Sequence, residues 1–212
     1  MSTAVPNAEV AAGRLPRGRH GLSRAEVADT QRKRILLALA ETMAAKGYVA
    51  TSVADVIKAA GVSRETFYQQ FSSKQDAFMA AFDAAGELAV HTLVDARGDL
   101  DDGSTDQAVE RFRRGLRTYL TNLVAQPAFA RMFLVEVYAA GPEALVRRAA
   151  FQARVVDAMV DDLGFGEDRR FACELMVAAT AAMVTPMLVA GDLEAIANLE
   201  TPIVAAMARL TA

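Results

Sequence analysis

Side chains that can read the edges of DNA bases lie close together in residues 51–78, whose sequence is TSVADVIKAAGVSRETFYQQFSSKQDAF. The guanidinium fork of Arg64 matches O6 and N7 of guanine, and the amide of Gln69 or Gln70 matches adenine. The methyl group of Thr66 can contact the methyl group of thymine. These residue types predict recognition of a DNA duplex by contacts that involve no covalent step.

Two short helices joined by a glycine turn are needed to present these side chains. Ser52 and Asp55 form a capping pair that begins a helix, and the start of this helix can offer a hydroxyl and a backbone N–H to a phosphate. Gly61 suits the turn because a positive φ costs glycine little, and Ser63 can cap a second helix to about Phe71. The expected small core is Val53, Val56, Ile57, Val62, Phe67 and Phe71. The pattern predicts a helix-turn-helix whose second helix can enter a major groove.

The sequence around this turn resembles the DNA-binding head of TetR-family transcriptional repressors over about residues 30–80. The resemblance is carried by Ala59-Ala60-Gly61-Val62-Ser63, Phe67-Tyr68, Phe71 and Lys74, with Lys46-Gly47-Tyr48 and Thr51 before them. It implies a recognition helix and a homodimeric repressor that a small molecule releases from its operator. The residues that it places at the DNA are Ser63, Arg64 and Thr66 in the groove, Tyr68 on a phosphate and Lys74 on the backbone.

Charge is divided unevenly along the chain, whose net charge is −3. Residues 1–74 contain 11 Lys and Arg against 6 Asp and Glu, whereas residues 75–212 contain 12 against 20. A basic segment joined to an acidic one is typical of a nucleic-acid-binding module. Residues 1–22, with Arg17 and Arg19, are predicted to form a flexible basic arm. The arm either contacts the minor groove or phosphates, or is a solvated tail.

Helical periodicity continues to the end of the chain, and no segment alternates with the period of two that a strand requires. The sequence therefore predicts an all-α protein of about nine helices. After the helix-turn-helix, a longer helix begins at Ser73 and a loop is expected at about 98–105. The remaining predicted helices are 106–125, 128–140, 142–163, 168–190 and 192–211. The predicted division is an arm at 1–22, a helix-turn-helix domain at 23–72 and a helical ligand-binding and dimerisation domain at 73–212.

The resemblance implies that the last two helices, 168–190 and 192–211, form a four-helix bundle with those of a second copy. The sequence permits this, because a stripe of small and apolar residues would otherwise be exposed. The stripe consists of Val177, Thr180, Ala181, Val184 and Leu188. Pro186 should kink the first of these helices, and Thr201-Pro202 could split the second. Such a dimer would read a pseudo-palindrome with recognition helices about one DNA turn apart.

Large apolar side chains between residues 106 and 187 are more numerous than a thin bundle needs. They either fill a core or line a cavity for an apolar or amphipathic ligand whose binding releases DNA. The predicted lining residues are Phe112, Tyr119, Phe129, Met132, Phe133, Tyr138, Phe151, Met159 and Met183. Arg113, Arg117 or Glu136 could supply polar anchors.

Residues for covalent catalysis or metal binding are scarce. The histidines are His20 and His91 and the single cysteine is Cys173, so no enzyme activity, cofactor or metal is expected. No uninterrupted apolar run reaches the roughly 20 residues of a membrane span, and no secretory signal is recognisable, so the expected location is the cytoplasm. Two alternatives are a ligand-independent architectural or cell-division DNA-binding protein, and an all-α enzyme whose head is only structural.

Overall fold

The computed structural model describes residues 23–95 and 104–212. Every regular element in these residues is helical, which confirms the predicted all-α class. The ten helices are α1 (Arg24–Ala50), α2 (Val53–Ala60), α3 (Arg64–Gln70), α4 (Lys74–Asp95), α5 (Thr105–Ala125), α6 (Pro127–Leu134), α7 (Pro142–Asp161), α8 (Arg170–Ala190), α9 (Leu193–Ala197) and α10 (Glu200–Thr211). Short 3-10 turns at Glu136–Tyr138 and Glu167–Arg169 follow α6 and precede α8. We call α1–α3 the head and α4–α10 the body.

α1 begins with a complete capping box and is interrupted near its end by a glycine. The Ser23 hydroxyl accepts the N–H of Glu26 at 3.2 Å, and the Glu26 carboxylate accepts the N–H of Ser23 at 2.6 Å. Gly47 has a φ of +81°, so the helix is interrupted there before a last turn that reaches Ala50. Glycine adopts a positive φ of this kind at little energetic cost.

Stacked aromatic rings fix three helices of the body around its interior. The ring centroids of Phe82 on α4 and Phe133 on α6 lie 4.1 Å apart with nearly parallel planes. Phe151 on α7 meets Phe133 edge-on at 4.9 Å. Gly86 lets α7 approach α4 closely, because a Cβ there would lie 3.1 Å from the Phe151 ring. These contacts set the spacing of α4, α6 and α7.

Two predicted helices are divided in the structure. The segment predicted at 128–140 is α-helical only to Leu134 and continues as the 3-10 turn. The segment predicted at 192–211 forms α9 and α10, with Asn198 and Leu199 between them. Pro202 consequently lies in the first turn of α10, where its missing N–H would have had no intrahelical partner. Pro186, in contrast, does not end α8, which is continuous over 21 residues.

The apolar stripe predicted on α8 is buried against its own chain. Thr180, Ala181, Val184 and Leu188 are all less than a tenth exposed, and Val177 packs partly against the same core. The expectation that this stripe would be exposed is therefore wrong, because α6, α7 and α10 pack on that side of α8. The side that is open to solvent, which we call the α8 outer face, carries Phe171, Leu175, Ala178, Ala182, Pro186 and Val189.

α8 is apolar on both sides. Within the described residues, Glu167–Ala190 is the one segment long and apolar enough to cross a membrane, judged by length and composition alone. A third of its most apolar 18-residue stretch is buried inside the protein. On the outer face, Phe171 is 75% exposed and Val189 is 54% exposed. Large hydrophobic side chains that are exposed to solvent indicate a surface that binds another molecule.

Candidate nucleic-acid interface and ligand cavity

Local capping hydrogen bonds determine where the two helices of the helix-turn-helix begin. Ser52 caps α2, and the Ser63 hydroxyl caps α3 by accepting the N–H of Thr66 at 3.0 Å. Gly61 ends α2 with a φ of +61°, the left-handed conformation that favours glycine. Three residues therefore suffice to turn the chain from α2 into α3.

α3 buries one side and exposes the other. Phe67 is completely buried in the head, whereas Arg64 and Tyr68 lie on the outer side. The guanidinium carbon of Arg64 is 5.3 Å from the centroid of the Tyr68 ring, and Tyr68 remains 44% exposed. The exposed Gln69 amide donates to the Glu65 carboxylate at 3.2 Å. Glu65 was not singled out from the sequence, yet its carboxylate lies on the same surface and could accept from cytosine.

The other residues predicted to contact DNA differ in exposure. Ser63 is exposed and its hydroxyl lies 2.9 Å from that of Thr66, so these two hydroxyls bind each other at the start of α3. Thr66 and Gln70 are half-buried. Arg17 and Arg19 lie outside the described residues, and the role of the arm stays a prediction.

The start of α2 already binds an anion, which is a carboxylate of the protein itself. The backbone N–H and the hydroxyl of Ser52 both donate to Asp55, and the Asp55 carboxylate lies 2.7 Å from Nζ of Lys46. Hydrogen bonds from Lys46 and then from Ser52 hold the pKa of Asp55 well below its usual range. A DNA phosphate at Ser52 would have to share or replace this carboxylate.

Lys74 has an internal role that the resemblance did not imply. Its ammonium donates to the carbonyl oxygens of Tyr48 at 2.7 Å and Thr51 at 2.8 Å. The same Nζ lies 4.1 Å from the centroid of the Tyr48 ring. Burial lowers the pKa of Lys74 from its ordinary value. The side chain thus ties the start of α4 to the end of α1, and these contacts direct it inwards instead of towards a DNA backbone.

Two arginines of α1 fix the orientation of α2 and α3. Arg34 donates to the carbonyl of Ala60 at 2.6 Å, and Arg32 donates to the carbonyl of Gln70 at 3.3 Å. The guanidinium of Arg32 also lies over the Phe71 ring at 4.4 Å. Both carbonyls belong to helix C-termini, where they lack intrahelical partners and carry partial negative charge. α1 therefore positions the helix-turn-helix.

The body contains a cavity of about 90 Å³, which we call the inner cavity. It is lined from α4, α5, α6, α7 and α8, and five of its lining residues are among those predicted: Phe112, Tyr119, Phe133, Phe151 and Met159. The structure does not bring the other four, Phe129, Met132, Tyr138 and Met183, to it. Met132 is buried elsewhere in the core, and Tyr138 and Met183 are exposed. Helical periodicity alone could not separate these cases, because it does not say which helices pack on a given face.

A second space of about 340 Å³, the outer cavity, lies beside the inner cavity. It is bounded by α1, α4, α5 and α6, and it includes Phe129, which was predicted to line a ligand site. Ala89, Tyr119 and Phe133 line both cavities. Because Lys33 of α1 also lines the outer cavity, this space reaches the head.

The predicted polar anchors are engaged elsewhere. Arg117 pairs with Glu200 at 2.7 Å, and Arg113 pairs with Glu110 at 3.3 Å. Glu136 accepts a hydrogen bond from the head. The expectation that these side chains anchor a ligand in the inner cavity is not met, because each faces a different neighbour.

Other polar side chains line the inner cavity in their place: Tyr119, Arg148, Gln152 and Thr180. The sequence reasoning missed Arg148 and Gln152, although they share one face of α7 with Phe151 and Met159 at helical spacing. Burial raises the pKa of Tyr119 to about 12, and the positive charge of Arg148 acts in the opposite direction. The Tyr119 hydroxyl is therefore neutral in this apolar space.

Cys173 and the acidic residues do not form a further site in the described residues. No group of three His, Cys, Asp or Glu side chains there is placed to bind a metal ion. Cys173 is completely buried, and burial raises the pKa of its thiol to about 11. It packs as a small apolar side chain.

Comparison with known proteins agrees with the helix-turn-helix geometry. Residues 35–81 match the sequence model described as bacterial regulatory proteins, tetR family. The helix-turn-helix segment of this chain therefore matches the TetR family over residues 35–81. The transcriptional regulator EthR of Mycolicibacterium smegmatis is 31% identical over 148 residues, an alignment that covers 66% of this chain. The chain spans 58% of the length of that relative.

Solved structures of regulators share the fold over most of this chain. FadR from Bacillus halodurans, a fatty acid degradation regulator, superposes with a TM-score of 0.71 at 18% identity, covering 83% of this chain and 97% of its own. FadR from Bacillus subtilis, solved in complex with stearoyl-CoA, superposes with a TM-score of 0.69 at 16% identity. It covers 82% of this chain and 96% of its own. At these identities the similarity establishes the fold alone.

Proposed function

We propose that this chain is a transcriptional regulator of the TetR family that binds DNA through α3. The observation that carries the proposal is the outer side of α3, where Arg64, Tyr68 and Gln69 are exposed, while Phe67 is buried on the inner side. A helix presented in this way can enter a major groove and place its N-terminal residues on base edges. Arg64 and Gln69 would read bases, and the Tyr68 hydroxyl would bind a phosphate.

Two copies of the chain would bind together. The α8 outer face carries an exposed row of apolar and small side chains that a second α8 can cover, and α10 continues it with small side chains at Ala205 and Ala208. Burying such a row is favourable, and a twofold pair would use the same surface on both copies. Two recognition helices about 34 Å apart would then read the half-sites of a pseudo-palindrome.

An apolar or amphipathic effector in the body would release the DNA. The outer cavity is bounded by Leu36 of α1, and α1 orients the helix-turn-helix through Arg32 and Arg34. A ligand that binds one arrangement of α1 and α4 more tightly shifts the protein to that arrangement. The complex of Bacillus subtilis FadR with stearoyl-CoA supports a ligand-binding role for this fold. The protein would act in the cytoplasm, where its DNA is, with no catalytic step.

DNA selection tests this function. The full chain is incubated with random duplexes at moderate salt, and the enriched sequences are read and footprinted. A twofold-symmetric site with half-sites one turn apart is expected. If no sequence is enriched, the proposal is wrong. If the chain instead protects many dispersed sites and no ligand affects it, a ligand-independent architectural protein explains the head better.

Sedimentation of an Ala182→Glu variant tests the dimer. Ala182 lies in the middle of the α8 outer face, where a carboxylate would be desolvated and unpaired on association. The variant should sediment as a monomer at concentrations where the unmodified chain is a dimer. Ala45→Glu, on the exposed side of α1, is the matched control and should remain dimeric.

A further inference from the structure

Arg148 lines the inner cavity without an acidic partner among the described residues. Its neighbour Arg147 forms ion pairs with Asp83 and Glu143. Arg148 instead lies against Tyr138, with its guanidinium carbon 5.2 Å from the ring centroid. Stacking of this kind orients the guanidinium and leaves its edge N–H groups available for an anion.

The surroundings of Arg148 favour an anion. Among the residues that the structure describes, no Asp or Glu lines the inner cavity. The Gln152 amide and the Tyr119 hydroxyl, which also line the cavity, can both donate hydrogen bonds. The hydroxyl of Thr180 is already engaged, because it donates to the carbonyl of Met176 at 2.7 Å. A positive charge surrounded by apolar walls gains more from an anion than the same charge in water.

Arg148 lies where the inner cavity meets open space. A groove of about 710 Å³ between α7 and α8, the α8 groove, shares Arg148, Gln152 and Ala181 with the inner cavity. The groove shares Ala178, Ala182, Pro186 and Val189 with the α8 outer face, so in the proposed dimer a headgroup at the guanidinium would lie beside the second copy. Tyr119 and Phe133 of the inner cavity also line the outer cavity. The charged group of the site is therefore Arg148, and the shared walls connect it to the apolar space of the outer cavity.

The apolar end suits a narrow chain. The inner cavity alone is smaller than the roughly 300–1,000 Å³ of ordinary ligand sites, whereas the outer cavity of about 340 Å³ next to it reaches that range. Only the side chains of Tyr119 and Phe133 and the small Ala89 are common to both walls. An unbranched hydrocarbon chain is narrow enough to extend from the inner cavity towards the outer cavity between these side chains.

We propose that the body binds an anionic amphiphile whose unbranched chain extends from the inner cavity towards the outer cavity and whose carboxylate or phosphate headgroup is bound by Arg148. This assignment rests on the proposed effector-binding function and specifies the chemical class of the effector. A neutral chain of equal length would lack the charge-assisted hydrogen bonds at the cavity mouth.

Calorimetric titration of the full chain with three probes below their micellar concentrations tests the assignment. The probes are dodecanoate, dodecyl phosphate and the neutral dodecanol. At least one of the two anions should bind more tightly than dodecanol, and the tighter of them identifies the headgroup. Arg148→Gln should weaken anion binding by about 10- to 100-fold and leave dodecanol binding unchanged.

Two further variants control for charge and for location. Arg154→Gln removes the same charge from the exposed side of α7 and should change none of the affinities. Ala89→Phe fills space common to the inner and outer cavities and should weaken all three probes. Circular dichroism of each variant establishes that its helices are intact.

Several results would overturn the assignment. The assignment is wrong if the chain binds neither anion, or if it binds dodecanol as tightly as it binds each anion. It is also wrong if the Arg148→Gln variant binds the anions with the same affinity as the unmodified chain. DNA selection with the same preparation separates the two proposals. If the chain selects a DNA sequence but binds neither anion, the proposed ligand class is wrong and the proposed regulator function stands. If the chain binds anions through Arg148 but selects no DNA sequence, the proposed regulator function is wrong and the ligand class stands.

Discussion

The backbone N–H of Tyr48 donates a 2.7 Å hydrogen bond to the carboxylate of Glu136. Tyr48 follows the interruption of α1 at Gly47, and Glu136 is the first residue of the 3-10 turn after α6. Nε of Arg131 lies 3.5 Å from the same carboxylate, which is almost fully buried. Because α6 also carries Phe133, this contact joins a wall of the inner cavity to the head.

Glu136→Ala should destabilise the protein by about 1–3 kcal/mol, because it leaves a half-buried N–H without its acceptor and a partly buried guanidinium without its ion-pair partner. Glu136→Gln should cost less, since its amide oxygen can still accept from Tyr48. Urea unfolding followed by circular dichroism measures both. Glu87→Ala, an exposed carboxylate on α4, is the control. Equal stability of Glu136→Ala and the unmodified chain would show that this contact contributes nothing.

Arg64→Ala should weaken binding to the selected DNA site by about 1–3 kcal/mol and relax the preference at one base pair, as expected for the loss of a bidentate guanine contact. A second round of DNA selection with the variant measures both effects. Arg154→Ala removes an equal charge far from α3 and should behave as the unmodified chain. An unchanged base preference would assign Arg64 to the DNA backbone instead of to a base.

Tyr68→Phe should weaken all DNA sequences alike, by about 0.5–1.5 kcal/mol, because one phosphate hydrogen bond is lost. The fold should be unaffected, since the ring retains its edge contact with Phe67 at 5.4 Å. Fluorescence anisotropy with the selected site and with single-base variants of it provides the comparison. Loss confined to one base pair would mean that Tyr68 contacts a base.

Asp55→Asn should reduce stability at neutral pH, and the deficit should shrink in acid. The pKa of Asp55 is lowered in the folded chain by Lys46 and Ser52, so the unfolded chain binds the proton more readily. The stabilisation is complete above the ordinary value of 3.8 and is lost as the pH falls below it. Urea unfolding from pH 7 down to about pH 3 measures this trend.

Asp29→Asn is the control for that series, because Asp29 belongs to an exposed pair with Lys33 at one-turn spacing on α1. Such pairs contribute little. A constant difference between Asp55→Asn and the unmodified chain at every pH would mean that the charge of Asp55 is not what stabilises the start of α2.

The local features of the head could be predicted because their partners are near in sequence. The caps at Ser23, Ser52 and Ser63 all use a backbone N–H three residues further on. The positive φ at Gly61 follows from its place between two helices. The inward Phe67 and the outward Tyr68 then follow from helical geometry.

Side chains that act over long sequence distances could not be placed in this way. Lys74 was expected at the DNA, and the structure directs it to the carbonyls of Tyr48 and Thr51. The stripe at Val184 was expected outside, and it is buried. Each outcome depends on how α1, α4 and α8 pack together, which no local pattern encodes.

The sequence by itself therefore determined the all-α class, the helix-turn-helix and the presence of surplus apolar side chains in the body. Only the tertiary structure decided which of those side chains surround a cavity, that Arg148 lies at its mouth, and which side of α8 remains open. The physical reason is that periodicity reports which residues share a helix face, since it arises within one helix. The neighbour that covers each face is chosen by packing between helices that are far apart in the chain.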